Sequence, residues 1–238
     1  MDYRIHHFGD NAIMIELGNE INPKILDKIT LISNFLDSQQ LDWLIEYIPA
    51  YTTITIFYDP FKLVATDGTC ISPFQLVADV ITQLLGRLPK KKNTENRLVE
   101  IPVCYGGEYG PDLTEVAAVN GLSIEEVIRI HSSAEYLVYM IGFAPGFPYI
   151  GGMSEKIATP RKATPRLKIP AGSVGIAGKQ TGVYPLETPG GWQLIGRTPV
   201  RLFDPDKESP SLLKTGDKIR FKPITPEAFF AIEEGSNV

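Results

Sequence analysis

Residues 141–153 read IGFAPGFPYIGGM, and residues 158–199 read ATPRKATPRLKIPAGSVGIAGKQTGVYPLETPGGWQLIGRTP. Eleven of the chain's 21 glycines fall between Ile141 and Pro199, interleaved with prolines. Glycine reaches backbone angles that other residues resist, and proline fixes φ and removes a donor. Such a stretch excludes long helices and predicts short strands joined by specified turns. It is not a linker, because Phe143, Phe147, Tyr149, Tyr184 and Trp192 need burial or a ligand.

The same stretch is unusually basic. From Ile157 to Phe203 there are seven Arg or Lys and one acid, Glu187, a local +6 in a chain of net charge −5. Glycine-turn N–H groups beside Arg and Lys suit a carboxylate or a phosphate. The competing reading is a solvated basic face on a β-rich domain.

Strand signals continue on both sides. Upstream, Arg97–Tyr105 alternates through Val99, Ile101 and Val103, a helix begins at Pro111, and Ser123 with Glu126 forms a capping box for another. Tyr136–Ile141 feeds the central stretch, and Val200–Phe203 and Lys218–Lys222 read as later strands. Many short strands with Gly/Pro turns predict a closed β-barrel over residues 97–238.

Residues 1–88 predict an α+β sandwich, with one sheet covered by two helices. Asn22-Pro23 and Ser72-Pro73 open the helices, and Trp43–Ile48 with Thr52–Tyr58 makes a hairpin. Residues 89–96 read as a polar linker.

Composition bounds the function. The acidic total argues against nucleic-acid binding, and no apolar run approaches the ~20 residues of a membrane span. MDYRIHHFGDN lacks the order of a signal peptide, so a cytoplasmic location is expected. Cys70 and Cys104 form no Cys-x-x-Cys, so neither a disulfide framework nor a metal knuckle is indicated. No phosphate-loop, HExxH, GxSxG or dinucleotide fingerprint is present.

The candidate chemistry is therefore a set of polar residues in glycine-rich surroundings. His131 falls at a helix C-terminus, where the dipole favours its charged form, and Glu108 sits on a glycine turn. Both are candidates for moving a proton. Arg161 and Arg166, spaced TPRxxTPR, offer paired forks for a carboxylate, and Lys179-Gln180 lies on another glycine turn. Phe143, Phe147 and Tyr184 complete the candidate binding set.

CYGGEYGPDL, GFAPGFPYIGG, TPRKATPR, PAGSVGIAGKQTGVYP, TPGGWQLIGRTP and LFDP, in that order from residue 104, closely resemble the KipI/PxpB family. The resemblance implies that the barrel is cyclophilin-like. It implies the B component of an ATP-dependent 5-oxoprolinase, working with a PxpA-like protein and a KipA/PxpC-like protein. ATP with magnesium would be consumed by the complex, and no tightly bound cofactor is expected. The family also includes an inhibitor of a sensor histidine kinase and relatives acting on urea-derived amides, which stand as alternatives.

Overall fold

Alternation in AIMIE sets the first sheet, because Ile13 and Ile15 point to one face and that face is buried. The computed structural model describes residues 2–20, 22–63, 72–87 and 96–235. They fall into two compact units that divide between residues 95 and 96. Most of the expected linker, and Cys70, lie outside the described residues.

In the first unit, β1 (Arg4–His7), β2 (Ala12–Glu16), β3 (Leu44–Pro49) and β4 (Thr53–Tyr58) form an antiparallel sheet in the order β1-β2-β4-β3. α1 (Pro23–Asp37) and α2 (Pro73–Gly86) bring Ile29, Ile32, Val77 and Ile81 into a common core with Ile13, Ile15, Ile54 and Ile56. Asn22 caps α1 by accepting from the Lys24 N–H at 2.8 Å, as its position before Pro23 predicts. Ser72 makes no such side-chain bond on α2.

The second unit holds β5 (Leu98–Tyr105), α3 (Leu113–Asn120), α4 (Ile124–Ser133), β6 (Tyr136–Ile141), β7 (Pro148–Gly151), β8 (Arg166–Ile169), β9 (Ser173–Ala177), β10 (Gln180–Val183), β11 (Thr188–Gly190), β12 (Gln193–Arg197), β13 (Lys218–Pro223) and α5 (Pro226–Gly235). Seven strands close a barrel in the order β10-β7-β6-β13-β5-β12-β9. Closure depends on β13 lying parallel to β5, in register from Lys218 opposite Leu98 to Pro223 opposite Val103. Arg97 clamps the start of this pair through an ion pair to Asp217 and a 2.6 Å bond to the Leu212 carbonyl. Ile101, Val103, Val138, Val174, Ile176 and Phe221 are among the residues filling the core.

Three differences from the sequence reading matter. β8 and β11 pair only with each other, as a two-stranded ribbon outside the barrel. Residues 200–203 make no strand, only the single bridge of Phe203 to Ser211. α3 starts at Leu113 and not at Pro111: Asp112 is its N-cap, at φ −101° and ψ 3°, and its free N–H bonds the Leu194 carbonyl at 2.9 Å. The capping box of α4 forms as expected. Among the described residues, no helix is long and apolar enough to cross a membrane.

Candidate functional site

The turn after β5 presents three side chains in different directions. Gly106 and Gly107 take positive φ, and the N–H groups of Tyr109 and Gly110 fold back onto the Gly106 carbonyl. Gly110 lies so close to β12 that a Cβ there would meet the Ile195 carbonyl oxygen at 2.1 Å. Only glycine permits that approach. The result exposes Glu108 and buries Tyr109 and Asp112.

Asp112 is the hub. Its Oδ2 accepts the Leu194 N–H at 2.7 Å, and its Oδ1 accepts Arg166 Nη2 at 2.7 Å and Lys162 Nζ at 3.1 Å. Burial alone would push its carboxyl up; the bonds from Arg166, Leu194 and Lys162 outweigh burial and hold it below the ordinary carboxylate range. Lys162 also reaches Glu115 at 3.0 Å, and Gln193 donates to both Glu115 and the Pro160 carbonyl at 3.2 Å. Residues 160–168, within the TPRKATPRLK segment, are thereby latched to α3 and β12.

This network corrects the charge reading. The +6 of the linear window is not a +6 in space, because acids from other segments answer it. Asp112 and Glu115 meet Lys162, and Asp112 also meets Arg166. Glu155 meets Lys179 at 2.6 Å and Asp204 lies 3.8 Å from Arg201, while Glu187, the acid already counted in the window, meets Lys168. Arg161 and Arg166 do not act as paired forks: Arg166 turns to Asp112, while Arg161 stays exposed.

His131 is the second correction. It is wholly buried, and burial pushes its pKa down to about 3, so the helix dipole does not keep it charged. Its Nε2 lies 2.8 Å from Thr181 Oγ1 and its Nδ1 lies 2.7 Å from the Tyr105 hydroxyl. Thr181 spends its own proton on the Gly175 carbonyl, so it must accept from Nε2–H. Nδ1 then accepts from Tyr105. The ring stacks on Phe221 with centroids 4.5 Å apart. A neutral imidazole with both nitrogens occupied and no exposed atom is an organiser of the barrel core.

The remaining candidates separate. Phe147 and Tyr184 are buried together with Ile169 and Leu194, and Trp192 packs against them. Burial pushes the Tyr184 hydroxyl up to about 12, opposed by the positive charges of Arg161 and Arg166. Phe143 touches Phe147 edge-on yet is largely exposed, at a left-handed φ of 68°. That conformation costs a non-glycine residue about 1–3 kcal/mol. Lys179 and Gln180 sit at the β9–β10 hairpin, with Lys179 exposed.

Glu108 and Arg166 are brought together: both line a cavity of about 230 Å³ beside Arg197. A larger cleft of about 550 Å³ also touches Arg197 and runs against Arg201, Phe203 and Asp204. Asp112, Lys162, Gln193 and Arg197 were not candidates in the sequence. The one available signal was an acid in Pro-Asp-Leu at a helix start, which reads as an ordinary cap. Among the described residues, no cluster of His, Cys, Asp or Glu is placed to hold a metal ion.

Residues 3–213 match the family described as carboxyltransferase domain, subdomain C and D. The B component of the 5-oxoprolinase of Bacillus subtilis (strain 168) is 50% identical over 236 residues, covering 99% of this chain and 98% of that protein. Its counterpart in Escherichia coli O157:H7, also named as the 5-oxoprolinase B component, is 44% identical over 223 residues, covering 92% and 95%. The crystal structure of TTHA0988 aligns with a TM-score of 0.75 at 36% identity, over 90% of this chain and 40% of that one.

Proposed function

The chain belongs to the KipI/PxpB family, carboxyltransferase-domain proteins of subdomains C and D that include the B component of 5-oxoprolinase, and from that premise we propose that it is one part of an ATP-dependent 5-oxoprolinase. The complex opens the lactam of 5-oxo-L-proline to L-glutamate. The observation that carries this reading is the end-to-end identity of 50% with the Bacillus subtilis protein.

The chemistry explains the need for ATP. A lactam is resonance-stabilised and its nitrogen is a poor leaving group. A phosphoryl group placed on the lactam oxygen makes the carbon electrophilic. Water adds there, the C–N bond breaks as the ring nitrogen takes up a proton, and the acyl phosphate that results is hydrolysed to the carboxylate and inorganic phosphate. This chain's share is to hold the substrate's carboxylate and offset the added negative charge with Arg166, Arg197 and neighbouring cations. Glu108, exposed on its turn, is the acid–base candidate on this chain. Magnesium would arrive with the nucleotide's phosphates, and ATP would lie in a cleft that this chain shares with the KipA/PxpC-like partner, in the cytoplasm.

A site assembled from several proteins leaves each one incomplete. The isolated chain should form no glutamate from 5-oxoproline and ATP. Co-expression with a PxpA-like and a KipA/PxpC-like protein should restore ATP-dependent formation. The chain should also co-purify with the KipA/PxpC-like partner. Turnover by the chain alone, or an inactive three-component assembly, would refute the reading.

We also read the two units as separate domains joined by residues 89–96, the second being cyclophilin-like. A fragment of residues 97–238 should then melt cooperatively and give a dispersed amide spectrum. A fragment that stays unfolded in buffer would show that the barrel needs the first 96 residues.

A further inference from the structure

The cavity of about 230 Å³ is lined by Glu108, Tyr109, Arg166, Lys168 and Arg197, so three cations face one carboxylate. Their other commitments are incomplete. Arg166 gives Nη2 to Asp112, and its Nη1 is buried without a partner. Arg197 gives Nε to the Ala171 carbonyl and rests over Phe229, 5.8 Å from the ring centroid. No carboxylate among the described residues pairs with its terminal nitrogens. Lys168 meets only Glu187, in an exposed pair of the kind that contributes little. The Tyr109 hydroxyl is also buried and unpaired.

Buried donors are ordinarily satisfied, so walls with more donors than acceptors favour an anionic occupant. Glu108 adds an opposite demand, since its carboxylate accepts and calls for a donor on the occupant. Size narrows the choice further. At about 230 Å³ the cavity falls below the ~300–1,000 Å³ typical of drug-sized ligands. It suits a small acid and not a nucleotide.

We infer that this cavity binds a compact carboxylic acid bearing a nearby N–H, with the carboxylate on Arg166 and Arg197 and the N–H on Glu108. The inference rests on the function proposed above in one respect: 5-oxoproline carries both groups on one small ring. Arg197, and not Arg161, is then the second guanidinium of the pair.

The test is calorimetric titration of the purified full-length chain with 5-oxoproline. The control ligand is 2-pyrrolidinone, the same lactam without its carboxylate. The expected result is binding of 5-oxoproline and none of 2-pyrrolidinone. Arg197→Gln and Glu108→Gln, each shown to melt cooperatively, should each weaken binding by about ten- to a hundredfold. Equal affinity for both ligands, no binding, or unchanged affinity in both variants overturns the inference. Turnover by the three-component assembly is measured separately. An active assembly with an empty cavity removes this site and leaves the proposed function; binding without turnover does the reverse.

Discussion

Replacing His131 with alanine is expected to destabilise the barrel unit by at least about 4 kcal/mol, read as a shift of the urea midpoint. Two losses combine. The imidazole leaves a void against Phe221 and Tyr136, and large-to-small changes in cores cost about 2–5 kcal/mol. The Tyr105 hydroxyl and Thr181 Oγ1 also lose a partner inside the barrel, at about 1–3 kcal/mol for each stranded group. His131→Phe refills most of the volume and should recover part of the loss, leaving the polar cost. The histidine also predicts a pH dependence. Its folded pKa of about 3 lies below the ordinary 6.5, so the unfolded chain binds a proton that the native chain does not. The histidine's contribution is complete above pH 6.5 and declines as pH falls from there toward 3, at up to about 1.4 kcal/mol per pH unit. His131→Phe should remove the histidine's share of the slope and leave that of the carboxylates, so its stability should fall less steeply than wild type between pH 6.5 and about 5. Variants that unfold at the wild-type urea concentration would show that His131 does not organise the core.

Asp112→Ala is expected to cost a similar amount, about 3–5 kcal/mol, because it leaves two cations and a backbone N–H without their acceptor. Asp112→Asn keeps the shape and the acceptor for Leu194 but removes the charge, and should cost less. The mechanism has a local readout. Asp112 is one of several ties on residues 160–168, beside the β8–β11 pairing and the Lys162 N–H bond to the Gly191 carbonyl at 2.7 Å, and it alone holds two of the segment's cations, so trypsin should cut after Lys162 and Arg166 faster in Asp112→Asn than in wild type. The pH window also differs from that of His131. A depressed carboxyl contributes fully above its unfolded value, near 3.9, and its contribution is lost as pH falls through the lower folded value. Wild-type melting and cleavage in Asp112→Ala would remove the latch.

The fold was largely legible because it rests on local signals. The alternation in β2 and β5, Asn22 before Pro23, and the Ser123–Glu126 box each declare themselves within a few residues. The barrel followed from turn chemistry. The order of its strands did not, since nothing near Lys218 says that its partner is Leu98. The site was less legible for the same reason. Arg161 and Arg166 look equivalent in TPRKATPR, yet an acid 54 residues upstream of Arg166 takes one and leaves the other in solvent. His131 reads as a helix-end cation because the sequence shows α4 but not Phe221, which arrives from β13 and seals the ring from water. Charge summed over a linear window is a poor guide wherever the chain returns on itself.

The parallel seam between β5 and β13 also sets a schedule. Pairing Leu98 with Lys218 means that about 120 residues are synthesised between the two edges of that seam. At ~5–20 residues per second, that interval is roughly 6–24 s on the ribosome. Throughout it β5 has no β13 beside it, and no partial barrel closes the gap. The described core residues of the first unit all precede β5 in the chain. The nascent chain therefore passes through a long interval in which β5 carries an open strand edge, the state in which unpaired edges recruit foreign strands.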